Sequence, residues 1–323
     1  MRNGTRLDRW DAAAAAYLSS RRALGRAYRK EEWILGRVRA YLARRGATDL
    51  DQDLFDHWRR RFRHASPSTR LVYEIAVYNF CRYRRRGEPS CFLPDRRALA
   101  RPQPQPLPTL IERDQVVRLL ACASTPRPTT HNAIGPEMLR LAIVLLYTAG
   151  LRRGEVTRLT LGDVDAGAGV LRIRESKFHK SRWVPLSRTA TQALREFLAA
   201  RRDRGLDLRP DAALLCSKKG QPYSGSGLWR SLKSVMTRSG IWAGAARCPR
   251  VQDFRHSFAV AALLRWYEAD ADVQANLPKL ALYMGHVSIV STAYYLRFMP
   301  AVVARAGERF ARAFGDLVDG GAP

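Results

Sequence analysis

Acidic side chains are scarce in this 323-residue sequence: 29 Asp and Glu stand against 56 Lys and Arg, a formal net charge of +27. Such an excess fits a polyanionic partner, because each neutralised phosphate releases condensed counterions and drives association. Long apolar runs are missing as well. The run Leu141 to Tyr147 is far short of the roughly 20 residues that cross a bilayer, and Met1 to Thr5 lacks the apolar core of a secretion signal, so no membrane partner is expected. Cysteines are few and isolated: Cys81, Cys91, Cys122, Cys216 and Cys248 form no Cys-x-x-Cys pair, which argues against a disulfide scaffold or a metal site and for a reducing compartment. No phosphate-binding glycine loop and no internal repeat is present, so no nucleotide cofactor is expected.

What is present is arginine, whose planar fork can take two phosphate oxygens and stays charged at any working pH. The one sharp composition break is the alternating-proline stretch Arg101 to Pro108, an extended connector lacking backbone donors at intervals. It divides the chain into an N-terminal domain, 1–100, a linker, 101–108, and a second domain, 109–323. In the first domain, Trp33, Ile34, Val38, Tyr41 and Leu42 recur at helical spacing, as do Leu71, Ile75, Tyr78 and Phe80. Basic clusters interleaved with aromatics, Arg59 to Arg63 and Arg82 to Arg86, give this all-helical unit a DNA-facing character. In the second domain, Thr109 to Asp114 reads as a helix entry, Met138 to Tyr147 as a buried helix stopped by Gly150, and Phe254, Phe258, Ala261 and Leu264 as an amphipathic helix. Val170 to Arg174 and Arg182 to Leu186 read as strands around a polar turn. The expected fold class is mainly α with a small antiparallel sheet.

Several polar residues sit where this framework would hold them. Arg152 follows the Gly150 turn, and Glu155 comes three residues later, placed to orient a cation or to balance charge. Arg255 lies near the start of a helix beside His256, and Phe254 and Phe258 would bury the opposite face. His286 follows Gly285, and Tyr295 comes nine residues after it, next to Tyr294. Arginines suit the extra charge on the non-bridging oxygens of a five-coordinate phosphorus. A phenol, with an ordinary pKa of about 10, needs such cations to act as a nucleophile.

Taken together, Ala149 to Glu155, Gln252 to Phe258 and Tyr283 to Tyr295 resemble the signature of the tyrosine recombinases, the phage-integrase family, and the long stretch Tyr267 to Pro278 is similar to that of its mobile-element members. The resemblance implies a helical core-binding domain before a catalytic domain with a C-terminal helix. It also implies cleavage and rejoining of double-stranded DNA through a 3′-phosphotyrosyl link. Arg152, Lys177, Arg255, His286 and Tyr295 would be catalytic, and Glu155, Gln252 and His256 supporting. Lys177, in the turn between the two strands, would protonate the departing 5′ oxygen, with Lys180 a rival; His286 would hydrogen-bond the scissile phosphate; the nine-residue step selects Tyr295 over Tyr294. Ester exchange conserves bond energy, so neither ATP nor a metal is implied.

The resemblance further implies a homo-tetramer on paired DNA sites, with room for accessory DNA-bending or directionality proteins, in the cytoplasm at the nucleoid. An apolar stripe, Val303, Ala306, Phe310, Phe314 and Leu317, either packs on its own core, as such stripes usually do, or, as the resemblance implies, docks on a neighbouring protomer. One departure stands out: the family places His three residues before the second arginine, and here that position is Gln252. An amide donates a hydrogen bond but does not carry a proton near neutral pH, leaving His256, His179 or water to do so. Two rivals remain open, a type IB topoisomerase-like enzyme and a non-catalytic DNA-binding protein of the same fold.

Overall fold

Helix ends are written into the sequence by short polar side chains. Asp51 caps α3 (Gln52–Arg60) by accepting from the Leu54 amide at 2.7 Å, and Ser66 caps α4 (Pro67–Arg84), which begins on proline, where no amide is wasted. With α1 (Asp8–Arg22) and α2 (Arg29–Arg45) they build the first of two compact units, Met1–Pro106; the second is Leu107–Pro323. The division falls inside the proline-rich segment. The computed structural model describes residues 7–25, 27–104, 107–125, 135–174, 181–217, 220–243, 247–286 and 288–298. No helix among them is long and apolar enough to cross a membrane.

The first unit closes on Trp10, Tyr17, Ile34, Val38, Leu42, Phe55, Trp58, Val77 and Phe80. Two details depart from the expected spacing. Trp33 is about half exposed and carries the Arg37 guanidinium 4.8 Å from its ring centre, so Ile34 and Leu35 face the core instead. On α4 the buried line is Ala76, Val77, Phe80 and Cys81, whereas Leu71, Ile75 and Tyr78 are only partly covered. Leu71, Ile75 and Tyr78 still pack against the core, and between them the buried Glu74 accepts the Ala100 amide at 2.6 Å.

In the second unit, Glu112 and Gln115 form a reciprocal capping box that starts α5 (Arg113–Ser124). Helix α6 (Gly135–Thr148) is buried from Leu141 through Leu146 and packs against α5, against α8 (Arg188–Asp203) and against α10 (Val251–Glu268). A three-stranded antiparallel sheet follows the short α7 (Arg153–Val156): β1 (Val164–Asp165), β2 (Val170–Ile173) and β3 (Arg182–Pro185), with Arg172 opposite Trp183 and Ile173 opposite Arg182. The two-residue β1 carries no periodicity of its own and was not foreseen. Helices α9 (Gly225–Arg238), α11 (Val273–Met284) and α12 (Val290–Ala293) complete the unit, and a 3₁₀ stretch, Tyr294–Phe298, ends the described chain.

The expected amphipathic stripe on α10 is a correction. Phe254 is fully buried, but Phe258, Ala261 and Leu264 are only partly so, and Arg255 itself is 1 % exposed. The helix packs against α6, against α11 and against the 3₁₀ stretch, which covers most of its N-terminal half and leaves Gln252 exposed. The C-terminal stripe Val303 to Leu317 lies outside the described residues.

Gly150 has φ +58°, and a Cβ there would collide with the Phe258 ring, whereas Gly46, at φ +64°, has open space around it. Left-handed backbone costs a residue with a Cβ about 1 to 2 kcal/mol. Gly46→Ala is expected to lower stability by about that much, and Gly150→Ala by about 1 to 3 kcal/mol more, since a packed ring must move. Urea-unfolding midpoints compare them; equal losses would show that Phe258 yields without cost.

Candidate active site

Three turns bring the polar residues inward. Gly150 reverses the chain after α6, so that Arg152 becomes the extended residue before α7, with φ −73° and ψ 149°. Arg255 sits in the first turns of α10. Gly285, at φ +67°, ends α11 in the left-handed conformation and delivers His286.

The end of α11 then gathers three guanidinium groups. Arg182 Nε donates to the Tyr283 carbonyl at 2.8 Å, Arg255 Nη2 to the Met284 carbonyl at 2.6 Å, and Arg152 Nη2 to the Gly285 carbonyl at 2.8 Å. These carbonyls lack partners within their own helix and form its negative pole, so cations are the natural donors to them. Arg255 also donates to the Gly150 carbonyl at 2.6 Å, tying the turn after α6 to the same point.

Glu155 balances the cluster. Its side chain is 1 % exposed; it receives Arg182 on both oxygens at 3.0 Å, the Arg152 guanidinium at 2.7 Å and the Arg152 amide at 2.9 Å. Burial alone would push its carboxyl up, but the hydrogen bonds and charge of Arg182, joined by Arg152, hold it down to about 2. The Arg255 guanidinium is lowered to about 10 by burial and by the neighbouring charge of Arg152.

Tyr295 lies inside this ring of charge, 3 % exposed. Burial raises its phenol above the ordinary value, while the charges of Arg255 and Arg152 and a hydrogen bond from Arg255 pull the other way. Its ring lies between two imidazoles: His286, stacked with centres 6.3 Å apart, and His256, edge-on at 5.4 Å. His286 is oriented by a 2.7 Å hydrogen bond between its Nδ1 and the hydroxyl of the fully buried Thr292. Burial, and then the charges of Arg255, Arg152 and Arg182, lower His286 to about 4, so it is neutral at pH 7. His256 is also lowered by burial, and its Nδ1 is sheltered without a hydrogen-bond partner. The adjacent Tyr294 is 37 % exposed, its ring 6.1 Å from that of Tyr295.

Of the residues singled out from the sequence, Arg152, Glu155, Arg255, His256, His286 and Tyr295 therefore converge. Gln252 is exposed and stands with Arg152 on the wall of an open cleft of about 450 Å³. Lys177, with Lys180 and His179, lies outside the described residues. Sequence reasoning missed Arg182 and gave Thr292 no role. A signal for Arg182 existed: two residues from the buried Val184 on a strand, it must point to the core side, where a charged group needs a partner.

The sequence matches the phage integrase family over residues 109–300. It is 33 % identical to an integrase/recombinase, y4rB, of Sinorhizobium fredii (strain NBRC 101917 / NGR234), over 94 % of this chain and 98 % of that one. Against the tyrosine recombinase XerD of Mycobacterium tuberculosis (strain ATCC 25618 / H37Rv) identity is 34 %, over 62 % of this chain and 60 % of that one. In fold it is similar to the Tn1549 transposon integrase solved with transposon right end DNA, with a TM-score of 0.61 at 16 % identity over 93 % and 99 % of the two chains. A lambda integrase dimer bound to a core site gives 0.57 at 14 % identity over 88 % and 76 %. With a family match across more than half its length, and a relative one-third identical from end to end, this chain belongs to the phage integrase family of tyrosine recombinases.

Proposed function

We propose that the protein is a site-specific DNA strand-transferase that cuts and rejoins duplex DNA through Tyr295. The carrying observation is the phenol of Tyr295, buried among Arg255, Arg152 and His286. In this reading the phenolic oxygen attacks a DNA phosphorus, the P–O5′ bond breaks, and a 3′-phosphotyrosyl ester forms. Arg152 and Arg255 take the charge growing on the non-bridging oxygens, in a setting already organised before DNA arrives. His286, neutral and oriented by Thr292, hydrogen-bonds the same phosphate, and Gln252 donates its amide from the cleft wall. Lys177 gives its proton to the departing 5′ oxygen. His256 accepts the phenol proton; its imidazole, edge-on to the Tyr295 ring with centres 5.4 Å apart and with an Nδ1 that has no hydrogen-bond partner, supports that choice over the exposed amide of Gln252.

Religation is the same step reversed by a 5′ hydroxyl from a second duplex. Exchange between duplexes implies paired sites, for which a tetramer is proposed, with the Met1–Pro106 unit as a further DNA-binding surface. The ester conserves bond energy, so no nucleotide or metal is assigned a step. Glu155 and Arg182 touch neither DNA nor the phenol in this scheme; they position Arg152.

A pool of randomised, nicked duplexes is expected to trap a covalent adduct, and peptide mapping should place it on Tyr295. Tyr295→Phe should abolish the adduct with DNA affinity changed less than about twofold, since one buried hydroxyl contributes little to a phosphate-dominated affinity. An adduct persisting at Tyr294 would overturn the assignment, and tight DNA binding without any wild-type adduct would favour a non-catalytic protein.

Gln252→His is expected to leave the adduct rate equal or raised, because imidazole donates as an amide does and can also carry a proton. A tenfold loss would show that the amide has a role of its own.

Glu155 couples stability to pH. Its folded pKa lies below its unfolded value near 4.5, so its stabilisation is complete above pH 4.5 and is lost as pH falls towards 2. The size is on the order of 3 kcal/mol. Glu155→Gln should reduce stability at pH 7 yet make it less dependent on pH between 4.5 and 2, as read by urea titrations across that range. A parallel decline in both proteins would deny the ion pairs their place.

A further inference from the structure

The first turns of α7, α9 and α10 border the cleft on which Arg152 and Gln252 stand. Its other walls are the Trp229 indole and Val251, with Arg153 and Arg250 at its edges. This mixture is more than a phosphate requires. Trp229 packs partly on the core of the second unit, yet its indole N–H makes no hydrogen bond among the described residues, and one part of the ring borders the open cleft. Arg153 lies across Gly225 at the start of α9, where a Cβ would meet its Nε at 3.2 Å, and it forms no ion pair among the described residues. Arg250 reaches Asp253 only at 3.6 Å, while Arg247 already neutralises that carboxylate at 2.8 Å, and the Arg250 Nε is sheltered without a partner. Both edge arginines thus keep charge available.

We propose that this cleft is the subsite for the nucleotide adjoining the phosphate that Arg152 holds. The Trp229 indole lies against the sugar and base edge of that nucleotide, and Arg153 and Arg250 take the next phosphate along the strand. The inference rests on the reading of Arg152 as a ligand of the scissile phosphate. A strand anchored there must continue past one wall or another, and this wall offers part of an indole ring beside two cations. About 450 Å³ is within the range of pockets that hold a small molecule, and suffices for one nucleotide unit. A flat apolar contact on a base edge discriminates by shape and by the thymine methyl, so Trp229 sets a preference at one position beside the cut.

Two measurements test it, one of which needs no cleavage. In salt titrations of binding to a generic duplex, Arg153→Gln and Arg250→Gln should each reduce the slope of log affinity against log salt by about one. Unchanged slopes in both would overturn the phosphate contacts. In the second, adducts from the randomised nicked pool are sequenced. Wild type is expected to show a base bias at a nucleotide next to the attachment phosphate. Trp229→Ala should flatten that bias and cut adduct yield about tenfold at sub-saturating DNA, and Trp229→Phe should retain both. An identical bias in Trp229→Ala would overturn the role of Trp229. Should the alanine variant not fold, Trp229→Leu, which keeps bulk towards the core without a flat ring, is read in its place. Wild type that binds DNA but forms no adduct removes the strand-transfer reading, and the salt titrations then decide the subsite alone.

Discussion

Three successive carbonyls at one helix end organise this molecule's chemistry. Tyr283, Met284 and Gly285 each accept from a different arginine, and those arginines come from β3, from α10 and from the turn before α7. Guanidinium groups repel one another, and without a shared acceptor they would splay towards solvent. The negative pole of α11 draws them together, and because backbone carbonyls hardly move, the cations are fixed before any DNA arrives. A preorganised cluster of this kind stabilises charge that appears only in a transition state without reorganising at that moment.

The arrangement has an electrostatic cost, which Glu155 offsets. Burial and the neighbouring Arg152 charge lower the Arg255 guanidinium to about 10, still well above working pH, so it keeps its charge. One buried carboxylate, shared between Arg152 and Arg182, keeps two of the three charges tolerable. The same field bears on Tyr295 and His286 in opposite ways: it opposes the rise that burial imposes on the phenol and deepens the fall of the imidazole.

Much of this was legible in the residues. Gly150 announced a helix stop, the stretch Met138 to Tyr147 announced a buried helix, and the spacing from His286 to Tyr295 announced a pairing. Where the reading slipped, a tertiary contact was the cause. On α10 the apolar stripe dissolved because the helix packs against three elements, α6, α11 and the 3₁₀ stretch, and on α4 the buried line runs through Ala76, Val77, Phe80 and Cys81 instead. Arg182 went unnoticed because its partners, Glu155 and Tyr283, lie 27 and 101 residues away.

By itself the sequence determined the charge, the helical character with a small hairpin sheet and the identities of the polar residues, because composition, periodicity and turn chemistry are local properties. Only the tertiary structure decided that Arg152, Arg255 and Arg182 share one helix end, that Tyr295 rather than Tyr294 is enclosed by them, and that Gln252 faces an open cleft while His256 lies against the phenol ring. Those outcomes depend on hydrogen bonds and burial between segments far apart in sequence, and no local pattern encodes which carbonyl a distant guanidinium will find.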